Sequence, residues 1–130
     1  EVGVGVSATI YPTIEEVLTL HSMLLARYGG EPGVRDLGML DAALHRPRSG
    51  YYRSLSEQAA ALFQSLANNH AFIDGTERVA FATTAIFLQL NGFPLRATAD
   101  DAETFLIEEV IESRAPVQRI TEWIEGHVRS

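Results

Sequence analysis

Cysteine and lysine are both missing from these 130 residues. Without thiols there is no disulfide framework and no thiolate metal site, a pattern that fits a reducing cytoplasm. Without lysine, the ten basic residues are all arginines, scattered along the chain and outnumbered by seventeen acidic residues, for a net charge of −7. A sequence-independent nucleic-acid binder clusters its basic residues to neutralise phosphates, so no direct nucleic-acid contact is expected. A basic partner segment, or a small charged ligand held locally, suits this balance better. A long hydrophobic run is lacking too. The stretch Val79 to Leu90 is interrupted by Thr83, Thr84 and Gln89 and is too short to cross a bilayer, so no membrane partner is expected. Residues 1–7 lack the basic start and continuous apolar block of a secretory leader. Their Val-Gly alternation reads as a short edge strand or as a remnant of processing. Residues 1–9 are therefore set apart as an N-terminal extension, and 10–130 as one domain.

What is present is an ordinary globular composition, 46% hydrophobic and 21% charged, with enough chain for a single core. The punctuation predicts an all-α domain of about six helices. Thr13-Ile14-Glu15-Glu16 has the form of a capping box, with Thr13 as N-cap. Apolar residues at helical spacing then run to Tyr28, where Gly29-Gly30 ends the helix. Asp36 is a good N-cap for a short helix that Pro47 stops. Residues 45–55, with Pro47, Gly50 and Tyr51-Tyr52, read as a flap or short hairpin. Helices are expected from Leu55 to Asn69, from about Glu77 to Leu90, near Asp100 to Ser113, and from Pro116 to Val128. The one ending at Leu90 is apolar on most faces, which predicts that it is the central buried helix.

The segment most charged with chemistry is His70-Ala71-Phe72-Ile73-Asp74-Gly75-Thr76-Glu77-Arg78. It offers a base, a metal-capable carboxylate, a flexible glycine and an arginine just before a buried helix. Many phosphate-handling sites are built this way. The segment resembles the signature of the Fic/Doc family, in its death-on-curing branch, whose pattern is His-x-Phe-x-Asp-(Gly or Ala)-Asn-Lys-Arg. His70, Phe72, Asp74, Gly75 and Arg78 match as they stand. Tyr11-Pro12-Thr13, Leu20-His21, Tyr28-Gly29-Gly30, Gly33 to Asp36, Ala59 to Leu62, Asn69 and Leu88 to Phe93 extend the likeness over roughly positions 10 to 128.

The resemblance implies a toxin of a toxin–antitoxin system. Such proteins use ATP and Mg²⁺ for phosphoryl (or nucleotidyl) transfer to a hydroxyl on a protein target, such as a translation elongation factor. His70 would be the general base and Asp74 the Mg²⁺ ligand. Gly75, Thr76, Glu77 and Arg78 would hold the nucleotide, with Arg78 also neutralising transition-state charge. Phe72 would anchor the loop in the core. AMP-transferring members carry a second arginine three residues after the first; Phe81 stands there, so the chain resembles the kinase-like branch. Residues around Arg46, Tyr51 and Tyr52 match the flap that pairs with an extended target strand. The implied partner is a small antitoxin whose disordered or helical tail enters an apolar groove.

Two positions depart from the pattern: Thr76 replaces Asn and Glu77 replaces Lys. Reversing a charge about 5 Å from a phosphate changes their interaction by several kcal/mol at an effective dielectric near 20. Nucleotide binding is therefore expected to be weakened, although Glu77 beside Asp74 would attract Mg²⁺. The same pair also reads as helix capping, with Thr76 as N-cap and Glu77 complementing the helix dipole. The Glu77 carboxylate would on that reading fill the phosphate position itself. A pseudoenzyme that only binds a protein partner is the rival reading. His21, on an apolar face, reads as a satisfied core histidine. His45 and His127 read as surface residues without partners, and Asp100-Asp101 and Glu108-Glu109 as solvated faces.

Overall fold

The computed structural model describes residues 8–128; the strand expected within residues 1–7 lies outside them. Six helices follow in order: α1 (Ile14–Tyr28), α2 (Leu37–His45), α3 (Leu55–Asn68), α4 (Thr76–Leu90), α5 (Ala99–Phe105) and α6 (Val117–Glu125). A 3₁₀ turn, Arg46–Arg48, follows α2, and a π-helical stretch, Leu106–Glu112, continues α5. Among the described residues no helix is long and apolar enough to cross a membrane. The only β pairings among them are the isolated bridges Val34–Phe72 and Leu95–Val128.

The helix starts follow from their caps. Thr13 and Glu16 form the expected reciprocal box at α1, and Asp36 accepts from the Met39 N–H at α2. A second box, Ser54 with Glu57, opens α3. Helix α2 ends at His45, just before Pro47, as expected; Pro47 itself sits inside the 3₁₀ turn, where its fixed φ and missing N–H are tolerated. The segment after that turn forms bends and no hairpin.

The centre of the molecule is α3 and not α4. Helix α3 packs against α2, α4, α6, the 3₁₀ turn and the π-helical stretch. It buries Ala59, Ala60, Ala61, Leu62, Phe63, Leu66 and Ala67. Four alanines among these allow close approach of neighbours on several sides. Helix α4 buries Val79, Ala80, Phe87 and Leu88 against this core. Its Ile86 and Leu90 instead face solvent, 39% and 51% exposed. Apolar composition on most faces thus reflects one outward-facing apolar surface as well as a buried one. With α1 that surface walls a groove of about 460 Å³, lined by Val17, Leu20, Met23, Thr83, Ile86 and Leu90.

Several polar expectations change in three dimensions. His45 has a partner one helical turn back, its Nδ1 lying 3.4 Å from an Asp41 carboxylate oxygen. His127 is half-buried, stacks on Trp123 at 4.2 Å and bonds the Trp123 carbonyl. Glu109 is no free solvated acid, because Arg119 donates to both its oxygens at 2.8 and 3.1 Å. Helical periodicity gives the face of each residue, but these partners come from side-chain reach.

Candidate active site

The loop from His70 to Gly75 connects α3 to α4 and is pinned from outside by the loop between α1 and α2. The Val34–Phe72 bridge is flanked by Arg35 N–H to Ala71 carbonyl at 2.7 Å and Ile73 N–H to Gly33 carbonyl at 3.2 Å. Phe72 is buried, as expected for an anchor, and His21 stacks on it with ring centroids 4.1 Å apart. His21 also donates through Nε2 to the Asp74 carbonyl at 2.7 Å. A buried, satisfied histidine was the sequence reading. Its partner could not be read, because 53 positions separate the two residues. His21 therefore positions the loop and contacts its metal-capable residue through the backbone.

Asp74 is oriented by two backbone donors. Oδ2 accepts from Glu31 N–H at 3.1 Å and Oδ1 from Gly75 N–H at 2.8 Å. These bonds hold its carboxyl below the usual carboxylate range, with lesser help from the Arg78 and His21 charges. Hydrogen bonds that favour the charged form act in this direction. The approach needs Gly30: a Cβ there would lie 3.0 Å from Asp74 Oδ2 and 2.9 Å from Leu25 Cδ2, at a φ of +128°.

Gly75 ends the loop in the left-handed region, φ +79°, and is itself the N-cap of α4, without any side-chain cap bond. The expected cap, Thr76, is instead the first helical residue and is buried. The frame is shifted by one because an αL glycine reverses the chain before threonine can cap. The first intrahelical bond is Val79 N–H to Gly75 carbonyl at 3.1 Å. The N–H groups of Thr76, Glu77 and Arg78 therefore have no intrahelical acceptor. Glu77 is exposed, and among the described residues its carboxylate accepts no hydrogen bond. It does not fill the terminus as the capping reading expected. Exposure also screens its charge, so the several kcal/mol expected from the charge reversal is an upper bound.

Arg78 projects from the first turn of α4 and lies over the Tyr28 ring, 4.4 Å from its centroid. A cleft of about 340 Å³ opens beside it, lined by Leu24, Tyr28, Glu77, Phe81, Asp100 and Glu103 among others. His70 is exposed and, like few non-glycine residues, has a positive φ, 54°. Strain of this kind persists where surrounding structure fixes it; here Asn69 bonds the Met39 carbonyl on one side and Ala71 is bridged on the other. His70, Asp74, Gly75, Thr76, Glu77 and Arg78 thus belong to one loop and helix start. Among the described residues no three acidic or histidine side chains converge as a metal cage. A single oriented carboxylate still suits Mg²⁺, which keeps several waters and takes other ligands from phosphates.

The flap residues lie elsewhere. Arg46 turns inward: Nη1 donates to Gln64 Oε1 at 2.8 Å, Ser65 Oγ at 2.7 Å and the Ala61 carbonyl at 3.3 Å. Its Nε donates to the Tyr52 hydroxyl at 3.0 Å. Expected on the target-facing side, Arg46 is a brace beneath the flap. Tyr51, 82% exposed, is the member of the trio that stands clear.

Residues 11–88 match the model of the Fic/DOC family. The chain is 41% identical over 124 residues to "Toxin Doc" of Mycolicibacterium smegmatis, covering 91% of this chain and 93% of that protein. It is 35% identical over 82 residues to "Protein kinase doc" of Escherichia phage P1, covering 60% of this chain and 65% of that one. The matched span runs from Tyr11 through the His70 loop into the last turn of α4, and the protein belongs to the Fic/DOC family.

Proposed function

We propose that this protein is the toxin of a toxin–antitoxin pair, transferring a phosphoryl group from ATP to a hydroxyl on a protein target such as a translation elongation factor. The supporting observation is the start of α4. Three backbone N–H groups are left without a side-chain cap there, directly after an ionised Asp74 already oriented by two N–H donors. Such a terminus attracts phosphate. Asp74 would hold Mg²⁺, and ATP with Mg²⁺, when bound, supplies the transferable group and part of the charge neutralisation. His70 accepts the proton of the target hydroxyl as its oxygen forms the new bond to phosphorus and the bond to ADP breaks. Arg78 and the helix N–H groups offset charge on the phosphoryl oxygens. The names of the two relatives support both halves of this reading, toxin and kinase.

Glu77 keeps a second reading in view. A carboxylate in the first turn repels phosphate, which favours a weakened transferase or a pseudoenzyme that only binds a partner. Labelled ATP and a cell extract separate them, comparing the native chain, His70→Asn, and Thr76→Asn with Glu77→Lys. Label transfer by the native chain that His70→Asn abolishes supports the kinase. Transfer by the double variant alone supports a silenced site, and transfer by neither supports the binding module. The antitoxin's helical tail would lie in the apolar groove between α1 and α4. Growth arrest on expression without antitoxin, relieved by co-expression, tests the toxin half independently.

A further inference from the structure

Two clefts adjoin along α3, and their charges are opposite. The inner one, about 390 Å³, is lined by Met39, Gln64, Ser65, Asn68, Asn69 and Arg114, together with Arg46 and Ala115. It contains no carboxylate, in a chain of net charge −7. The apolar groove, the cleft beside Arg78 and the outer cleft each have at least two. Asn69, at one edge of the inner cleft, is the residue immediately before His70. The outer cleft, about 830 Å³, presents the exposed Tyr51 with Glu57, Glu122 and Glu125. Arg46 and Gln64 line both clefts, so they form one trough running from Asn69 to the flap.

Arg114 is the cation that distinguishes the inner end. Its backbone is left-handed, φ 51°, at the end of the π-helical stretch, where chains commonly place glycine. Ala115 is buried; its N–H bonds the Glu109 carbonyl at 2.8 Å and its carbonyl accepts from Gln64 at 3.0 Å. Those bonds force the conformation, and glycine would satisfy it without strain. Among the described residues the exposed Arg114 guanidinium has neither hydrogen bond nor ion pair. Arg46, by contrast, directs Nε to Tyr52 and Nη1 to α3. Glu122 and Glu125 are likewise exposed and unpaired among the described residues.

We propose that this trough binds the target polypeptide as an extended segment with a charge gradient. An acidic residue beside the modified hydroxyl meets Arg114, and basic residues further along meet Glu122 and Glu125. On α3, Glu57 of the outer cleft and Ser65 of the inner one lie eight residues apart, or ~12 Å at 1.5 Å per residue. That distance spans about four residues of an extended chain. Opposite charges placed this way fix register and exclude wrong partners more than they raise affinity. The inference rests on the reading of His70 as the base that faces the target.

The test uses fluorescently labelled synthetic peptides and the whole protein, read by anisotropy at low salt. One peptide places Asp beside a central Ser and Lys about four residues away; its counterpart exchanges the Asp and Lys positions. Both are made in each chain direction. The first pattern, in one direction, is expected to bind at least about tenfold more tightly than its counterpart. Arg114→Gly should erase that preference while leaving the melting temperature unchanged or raised, because glycine relieves the strained φ. Glu122→Lys with Glu125→Lys should erase it from the other end. Equal binding of the two patterns, no binding of either, or a preference that survives Arg114→Gly overturns the proposal. His70→Asn should bind the preferred peptide like the native chain. If His70 is not the base, modification survives in that variant while the peptide preference stands, so the two failures are distinguishable.

Discussion

The starts of α3 and α4 carry similar residues and do opposite things. At α3, Ser54 accepts from Glu57 N–H at 3.0 Å, and Glu57 reaches back to Ser54 N–H at 2.9 Å. The Ser54 N–H, with help from the Ser54 hydroxyl, holds the Glu57 carboxyl below its usual range, and the terminus is closed by its own side chains. At α4 a glutamate again lies in the first turn, but the cap is a left-handed glycine and the third helical residue is Arg78. Glu77 is one position too early to reach back. A helix start becomes a potential anion site by losing its cap, and one residue of frame decides which happens.

Four experiments test this contrast. The largest effect is expected from His70→Asn, because asparagine tolerates φ +54° better than most residues. Target modification should fall about 10²- to 10⁴-fold with little change in melting temperature; activity within a few-fold of native would remove His70 from the reaction. Next, Glu77→Lys should tighten ATP binding measured calorimetrically by about tenfold or more, less than the unscreened charge reversal would give. An unchanged affinity would mean that the open terminus does not receive the phosphates. Third, Ser54→Ala should cost about 1 kcal/mol, a loss of ~4 °C in melting temperature. Thr76→Ala removes no cap and should cost less; equal losses would erase the distinction between the two termini.

The smallest effect concerns pH. The Asp74 carboxyl is depressed in the folded protein, so its stabilising tether is fully present above the ordinary carboxylate value of about 3.9. It is lost as pH falls through the lower folded value. The amide proton shifts of Glu31 and Gly75 should therefore titrate together, with a midpoint below that of an ordinary aspartate. A midpoint at or above it, or separate midpoints, would show that the carboxylate does not hold both loops.

Much of the helical frame was legible because its signals are local. Thr13 with Glu16, Asp36 with Met39, and Gly29 after Tyr28 act across a few residues of chain. The motif was legible too, as a string of residue types. What escaped depended on frame or distance. Thr76 has a capping side chain and glycine has none, yet glycine caps about as well as threonine, and an αL Gly75 moved the helix start past it. Helix α4 looked central because it is apolar on most faces, but α3, with its alanines, admits more neighbours. Arg46 was read as a target contact, and only the fold brings Gln64 and Ser65 to its guanidinium. No local pattern announces that Arg114 adopts a positive φ beside α3.

The Asp74 carboxylate, the cation ligand of the proposed function, also anchors Glu31 N–H through Oδ2, so a cation held there would draw on the group that tethers the loop at residues 29–36. Mg²⁺ uptake should then be felt at a distance from the phosphates, as a change in amide exchange at Glu31 and at Ile73, whose N–H bonds Gly33. The loop would serve as a built-in gauge of whether the metal is seated, readable even when no phosphate moves.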